Sequence, residues 1–401
     1  MDQQTANILL EQGAVLLFLD APANFNFGID CFSWRTGPNF KGLKLIPPGQ
    51  HFVYYSSVAT AAGGESAGIR SGFWLDLKSR QVVVKRWNPA MEDVFDDADM
   101  DTEDTERYRI NFRDFDRFLG VYPLLPTDND PVSPYEKWLR LTTHITPAIA
   151  KRMLPKSGKI SAMSCVSRFS DVEDARGEFR SRGREQTETP GVDAAASAGA
   201  TSVRHQSLES GQVEVLRLEF TPIDIKRSFP SGASGAERTK YSIDKSYLLR
   251  KVLKDHFKDY KELLGELQLS FVLFLIGEVY DGYEQWKVLV HLLCQSDEAI
   301  DDLGSTLFYE FLEILIKQLE AHPSDFFMDA LSSDNFVRAN ILLLTRSMSD
   351  RTHPAPRNLH EALEALLSFV DSRFQWDVRR DARFAELEED ADEGEYAPTV
   401  V

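Results

Sequence analysis

Asp30 is the first residue with the type and setting for chemistry. It stands in Phe27-Gly28-Ile29-Asp30-Cys31-Phe32-Ser33-Trp34, within a stretch dense in glycine, proline and aromatics. An aspartate there has two uses. As the acid of a hydrolase it needs a second acid or base within hydrogen-bond reach. As a structural group it accepts backbone N–H bonds and locks a tight turn. No second acid or base stands near Asp30 at a recognisable spacing, so turn-locking is the favoured reading.

Other chemistries leave no signature. The sequence holds no G-x-S-x-G elbow, H-E-x-x-H pair, P-loop or G-x-G-x-x-G run. Gly63-Gly64 has the flexibility of a phosphate loop but lacks the Gly-Lys-Ser/Thr ending, and reads as a surface hairpin loop. "DTEDTE", Asp101 to Glu106, has the Asp-Thr letters of an aspartic protease. Such a dyad needs two buried loops, and this one lies in an open acidic run. The eight histidines never pair at ligand spacing with cysteine or acid. His353 and His360 would need one helix face, which Pro354 and Pro356 forbid. No enzyme, cofactor or metal is expected.

The net charge of −18 is local in origin. Glu92 to Glu106 carries nine acids and no base, and Glu386 to Glu395 carries seven more. Those sixteen acids account for all but two units of the charge. Phosphate backbones are bound by clustered lysine and arginine, so nucleic acid is not the expected principal ligand. Three separated cysteines, Cys31, Cys165 and Cys294, make no C-x-x-C pair and suggest a reducing compartment. There is no charged-then-apolar leader at Met1. The longest apolar run, Leu267 to Gly277, is too short to span a membrane.

The elements that would position these residues change character along the chain. The first 95 residues read as strands: Ala14 to Leu19, His51 to Val58, Phe73 to Leu77 and Gln81 to Trp87. Phe73, Leu75 and Leu77 alternate with Trp74 and Asp76. The last two runs, joined by Lys78-Ser79-Arg80, predict a hairpin. Closely spaced turns at Gly28, Gly37-Pro38, Gly42 and Pro47-Pro48-Gly49 predict an antiparallel sheet or sandwich. Tyr108, Phe112, Phe115 and Leu119 predict a helix stripe. Pro134 to Leu141 predicts a short helix capped by Ser133, with Trp138 and Leu139 packing it on the sheet.

Residues 155–212 are poor in large apolar side chains and read as a flexible linker, in which Arg176, Arg180, Arg182 and Arg184 are the candidates for touching RNA. Gln212 to Ile225 reads as one strand opening the second half. Thereafter helical segments follow one another: Tyr247 to Leu253, Leu263 to Val279, which is apolar almost all round, Trp286 to Leu293, Phe308 to Leu319, Phe336 to Leu344 and Leu359 to Phe369. Short breaks between long helices predict an antiparallel helical stack. The expectation is α+β in two domains: a mainly antiparallel β domain over 1–154, a linker over 155–212, an all-α stack over 213–385 and an acidic tail over 386–401.

The opening stretch also carries a likeness. Phe27-Gly28-Ile29-Asp30, Ser33-Trp34, Gly37-Pro38, Phe40-Lys41-Gly42 and Ile46-Pro47-Pro48-Gly49 with His51-Phe52 closely resemble the Aar-two splicing factor family. The resemblance resumes over Glu262 to Cys294, Pro323 to Phe336, Phe374 to Asp377 and the final Tyr396 to Val401, leaving out the linker. It implies a β-rich first domain and a superhelical α domain. It also implies a non-enzymatic chaperone of pre-mRNA splicing, found in cytoplasm and nucleus and a monomer on its own. Such a chaperone assembles the U-five small nuclear ribonucleoprotein by holding the scaffold protein Prp-eight, through its RNase H-like and Jab/MPN-like domains, and delays the helicase. An RNA-binding protein acting through the linker arginines is the alternative.

The chain's last residues complete the reading. Tyr396, Ala397, Pro398, Thr399, Val400 and Val401 are β-prone and follow an acidic run. Such a segment suits strand addition to the edge of a partner sheet. Gly28, Asp30, Trp34, Gly37, Pro38, Pro47, Pro48 and Gly49 are expected to shape turns.

Overall fold

The computed structural model describes residues 12–61, 64–126, 130–164, 216–322, 336–349, 351 and 355–382. The linker arginines, the linker beyond residue 164, His353 and the terminal segment 383–401 lie outside them.

Two five-stranded sheets build the N-terminal half. The first contains β1 (Ala14–Leu19), β4 (Gly42–Ile46), β9 (Val82–Asn88), β10 (Asp93–Val94) and β11 (Leu119–Val121), in the order β10-β9-β1-β4-β11. The second contains β2 (Asn26–Ile29), β3 (Phe32–Arg35), β5 (Gly49–Ser56), β8 (Ser71–Leu77) and β12 (Lys159–Ser161), in the order β12-β8-β5-β2-β3. A separate hairpin joins β6 (Val58–Ala61) to β7 (Gly64–Ala67). Pairing is antiparallel except for β1 with β9 and β4 with β11.

Strand alternation makes three cores from these two sheets. Leu16, Phe18, Phe27, Val53, Tyr55 and Phe73 fill the space between the sheets. Val15, Leu17, Leu19 and Val84 face outward under Tyr108, Phe112 and Phe115. Phe52, Tyr54 and Trp74 point out of the second sheet, into the largest core, which they share with the helical half.

Five expectations are corrected. β8 and β9 form no hairpin. The open edges of β8 are taken by β5 and β12, and those of β9 by β1 and β10. The link between them turns through Arg80, whose φ is 62° and whose N–H donates to Gln12 O at 3.0 Å. Non-local partners outcompete the local signal. The stripe from Tyr108 to Leu119 is not one helix. α1 (Thr102–Ile110) ends at Asn111, a 3-10 segment runs over Phe112–Phe118, and Leu119 opens β11. In α2 (Pro134–Leu141), capped by Ser133, Trp138 is buried while Leu139 is 49% exposed, because adjacent helical residues face different ways. Residues 216–224 form no strand. Leu218 and Phe220 are buried there, but the ladder is reduced to Glu219 N–H donating to Met153 O.

Residues 155–164 also depart from the linker reading, since β12 adds to β8 and buries Ile160.

The second half is a stack of helices. After α3 (Pro147–Met153) come α4 (Gly235–Ile243), α5 (Ser246–His256), α6 (Tyr260–Leu275), α7 (Tyr280–Cys294), α8 (Ala299–Asp302), α9 (Ser305–Ala321), α10 (Phe336–Ser349) and α11 (Arg357–Phe374). α6 is the covered centre, with every residue from Leu263 to Leu273 buried. It packs on α7 and α9, α7 packs on α10, and α9 packs on α11. Among the described residues no helix is long and apolar enough to cross a membrane.

Candidate functional site

The turn after β2 carries Asp30 at φ 54°, a left-handed conformation that aspartate tolerates better than most residues. Its N–H donates to Phe52 O at 2.8 Å, which docks the turn on β5. Gly28 makes this approach possible. A Cβ there would lie 2.2 Å from the Tyr54 ring. Gly49, at φ 141°, opens β5. Pro47 and Pro48 precede it, and Pro47 is buried while Pro48 is exposed. Trp34 on β3 packs against Phe27 and Phe40, and Gly37 and Pro38 form the exposed bend before Phe40.

The Asp30 carboxylate collects three donors. Oδ1 accepts the Phe52 N–H at 2.9 Å. Oδ2 lies 2.6 Å from His51 Nδ1 and accepts the Tyr122 hydroxyl at 2.6 Å. Asp30, His51 and Tyr122 are each 1% exposed. Asp30 and His51 belong to the second sheet and its turn, whereas Tyr122 directly follows β11 of the first. The carboxylate therefore ties both sheets together.

The protons of this cluster follow from its partners. His51 Nε2 sits 2.7 Å from Pro47 O, which only accepts, so Nε2 carries a proton. Burial works against a charged imidazole. The Asp30 carboxylate and the Pro47 carbonyl outweigh it, and the His51 pKa is raised above its ordinary 6.5. Burial, then Asp30, push the Tyr122 phenol far up. This looks like a proton relay, but its outer nitrogen is spent on Pro47 and none of the three side chains opens to solvent. What the arrangement does is hold two sheets in register.

Spacing failed to find this cluster. His51 and Tyr122 lie 21 and 92 residues from Asp30. His51 sits in the same glycine- and proline-rich stretch and directly follows Gly49-Gln50, which is a faint signal. Tyr122 left none.

Above the turn lies a cleft of about 510 Å³ between the two halves. Its floor includes Asp30, Cys31 and Tyr54. Burial first, then Asp30, push the Cys31 thiol up to about 12, so it is no ready nucleophile. Arg70 clasps the halves at this cleft, donating to Ile276 O at 2.7 Å and pairing with Glu278 at 2.9 Å. Trp138 Nε1 donates to Gln50 O at 2.8 Å nearby, and His144 N–H donates to Gln268 Oε1 at 2.7 Å. Among the described residues no group of three or more His, Cys, Asp or Glu is arranged to hold a metal.

Two sequence profiles fit this architecture. One, the AAR2 N-terminal domain, matches residues 12–155, and the other, the AAR2 C-terminal repeat region, matches residues 220–379. The chain belongs to the AAR2 family. Among its relatives, Protein AAR2 homolog of Mus musculus is 35% identical over 94% of this chain and 93% of its own. Protein AAR2 homolog of Homo sapiens is 34% identical over the same shares. A1 cistron-splicing factor AAR2 of Saccharomyces cerevisiae is 22% identical over 96% of each chain. The AAR2 profiles thus cover both the sandwich that Asp30 braces and the helices that close the cleft.

Proposed function

We propose that this AAR2 protein is a non-enzymatic splicing factor that assists assembly of the U-five small nuclear ribonucleoprotein. It binds the scaffold protein Prp-eight, through that scaffold's RNase H-like and Jab/MPN-like domains, and by occupying it delays the helicase. It acts as a monomer in cytoplasm and nucleus. One observation carries the splicing role: the yeast relative named a splicing factor aligns over 96% of both chains. The enclosed Asp30 cluster supports action by binding rather than by chemistry, since its proton-carrying groups are committed to one another.

The terminal Tyr396-Ala397-Pro398-Thr399-Val400-Val401 is the proposed strand that pairs with an edge of the scaffold's sheets. Affinity capture from extract, with the bound proteins identified, tests the reading. Recovery of the scaffold, undiminished by EDTA or ATP depletion, is expected. Capture of RNA without the scaffold would replace it with the RNA-binding reading.

A further inference from the structure

We infer that the cleft between the two halves binds a small phosphate ester, with Arg140, Lys317 and Arg373 as its anion-holding groups. The cleft gathers five cations, Arg70, Lys137, Arg140, Lys317 and Arg373, against three acids, Asp30, Asp130 and Glu320. Four of these cations have a carboxylate partner, Arg70 with Glu278, Lys137 with Asp130, Arg140 with Glu136 and Lys317 with Glu320, so the site's capacity for an anion depends on which pairs can be exchanged.

The five cations are not equivalent. Arg70 is committed to Ile276 O and Glu278 as the clasp between halves. Lys137 is held by Asp130, whose carboxyl that contact keeps below its usual range. The other three are engaged by exposed or neutral partners. Arg140 pairs with Glu136 one turn back on α2, with 35% and 52% of the two side chains exposed. Lys317 pairs with Glu320 at 3.1 Å on α9, and both are at least 40% exposed. Such exposed intrahelical pairs contribute little and exchange readily. Arg373 donates to the His322 carbonyl at 3.2 Å, a neutral partner.

These three groups come from three helices, α2 in the first half and α9 and α11 in the second. A single carboxylate satisfies one arginine. A phosphate ester carries nearly two charges and three strong acceptor oxygens, which suits three cationic donors lining one cleft. The rest of the lining is apolar, with Leu141, Leu275, Ile276 and Val132 beside Tyr54. It suits an organic body attached to the phosphate, and about 510 Å³ is within the usual size of small-molecule sites. Occupancy would bridge the halves.

The test is a thermal-shift and calorimetric titration of the full chain with phenyl phosphate at constant ionic strength, with benzoate as the monovalent comparison. Phenyl phosphate should bind saturably and raise the melting temperature, and benzoate should bind at least roughly tenfold more weakly. Lys317→Gln and Arg373→Gln should each weaken phenyl phosphate by about tenfold while the free proteins melt like wild type. Arg250→Gln, which loses only its Asp302 pair outside the cleft, should leave binding unchanged. If either glutamine variant loses stability, Arg→Lys at 373 supplies the same comparison with charge retained, and binding should then be partly kept. Equal affinity in wild type and the glutamine variants, or no saturable binding, would overturn the site. A single-stranded RNA that displaces phenyl phosphate at far lower concentration would overturn the small-ligand assignment.

Discussion

Asp30→Ala tests the central structural claim. The substitution removes the acceptor shared by Phe52 N–H, the Tyr122 hydroxyl and His51 Nδ1, all buried. A buried donor left without a partner costs roughly 1–3 kcal/mol. Three of them, with partial relaxation, cost on the order of 4 kcal/mol. Alanine at φ 54° adds strain of about 1 kcal/mol. Whole domains are stable by only about 5–15 kcal/mol. In a domain of this size each kcal/mol lowers the melting temperature by about 2–4 °C, so the total of about 5 kcal/mol corresponds to a fall of about 10–20 °C. Asp30→Asn keeps an acceptor for Phe52 and tolerates the left-handed turn, but gives Tyr122 an amide in place of a carboxylate oxygen. It should fall between the two. The assay is calorimetry and urea unfolding of the full chain, completed by Tyr122→Phe and the double variant. Because both substitutions break one network, their costs should be clearly less than additive. Asp30→Ala melting within about 2 °C of wild type, or strict additivity with Tyr122→Phe, would refute the claim that this carboxylate ties the sheets.

Further outcomes follow from the same structure. The His51 pKa is raised on folding, so its stabilisation is fully present below pH 6.5 and is lost as pH climbs through the raised value. Urea unfolding across neutral to alkaline pH should show that decline, and His51→Gln should remove it. Leu273→Asp places a charge without a partner in the fully buried α6 and should abolish cooperative unfolding seen by circular dichroism. Gly28→Ala drives a Cβ into the Tyr54 ring and should cost about 1–3 kcal/mol by urea unfolding. Removing residues 396–401 should weaken scaffold binding in calorimetry without moving the melting temperature, and equal affinity would retire the terminal-strand proposal.

Much of the fold was legible because periodicity reports burial. The stripes of α7, α9 and α11 and the alternation in β8 became faces that pack, and the nearly all-round apolar run of α6 became the covered centre. What failed was pairing. The short link before Gln81 suggested a hairpin, but sequence spacing says nothing about which distant strand takes each edge. Leu218 and Phe220 alternate like a strand yet lie against the helices without one, since burial on one side suffices to select alternating apolar residues. Asp30 was visible as a residue of interest, whereas its partners were not. His51 and Tyr122 reach it only after two sheets have formed, so their relation exists in three dimensions alone.

The same non-local contacts bear on how a protein of this kind acts. Phe52, Tyr54 and Trp74 leave the sandwich to join a core continuous with α6, α7 and α9. The Gly265 position on α6 has room for no Cβ, since the His144 carbonyl would lie 2.5 Å away. The halves are therefore packed through backbone as well as side chains at α6, and clasped by Arg70 at its C-terminal end. Large hinge motion would break this shared core, at a cost of about 25 cal/mol for each Å² of apolar area exposed. On the proposed reading, an assembly factor that works by occupancy needs surfaces on both halves held at a fixed separation, and the shared core and the Arg70 clasp are suited to that. Crosslinking tests the point: Ile69→Cys and Tyr280→Cys, both exposed and flanking the Arg70–Glu278 clasp, should report one fixed spacing with and without bound scaffold. Two spacings that interchange on binding would show instead that the halves move.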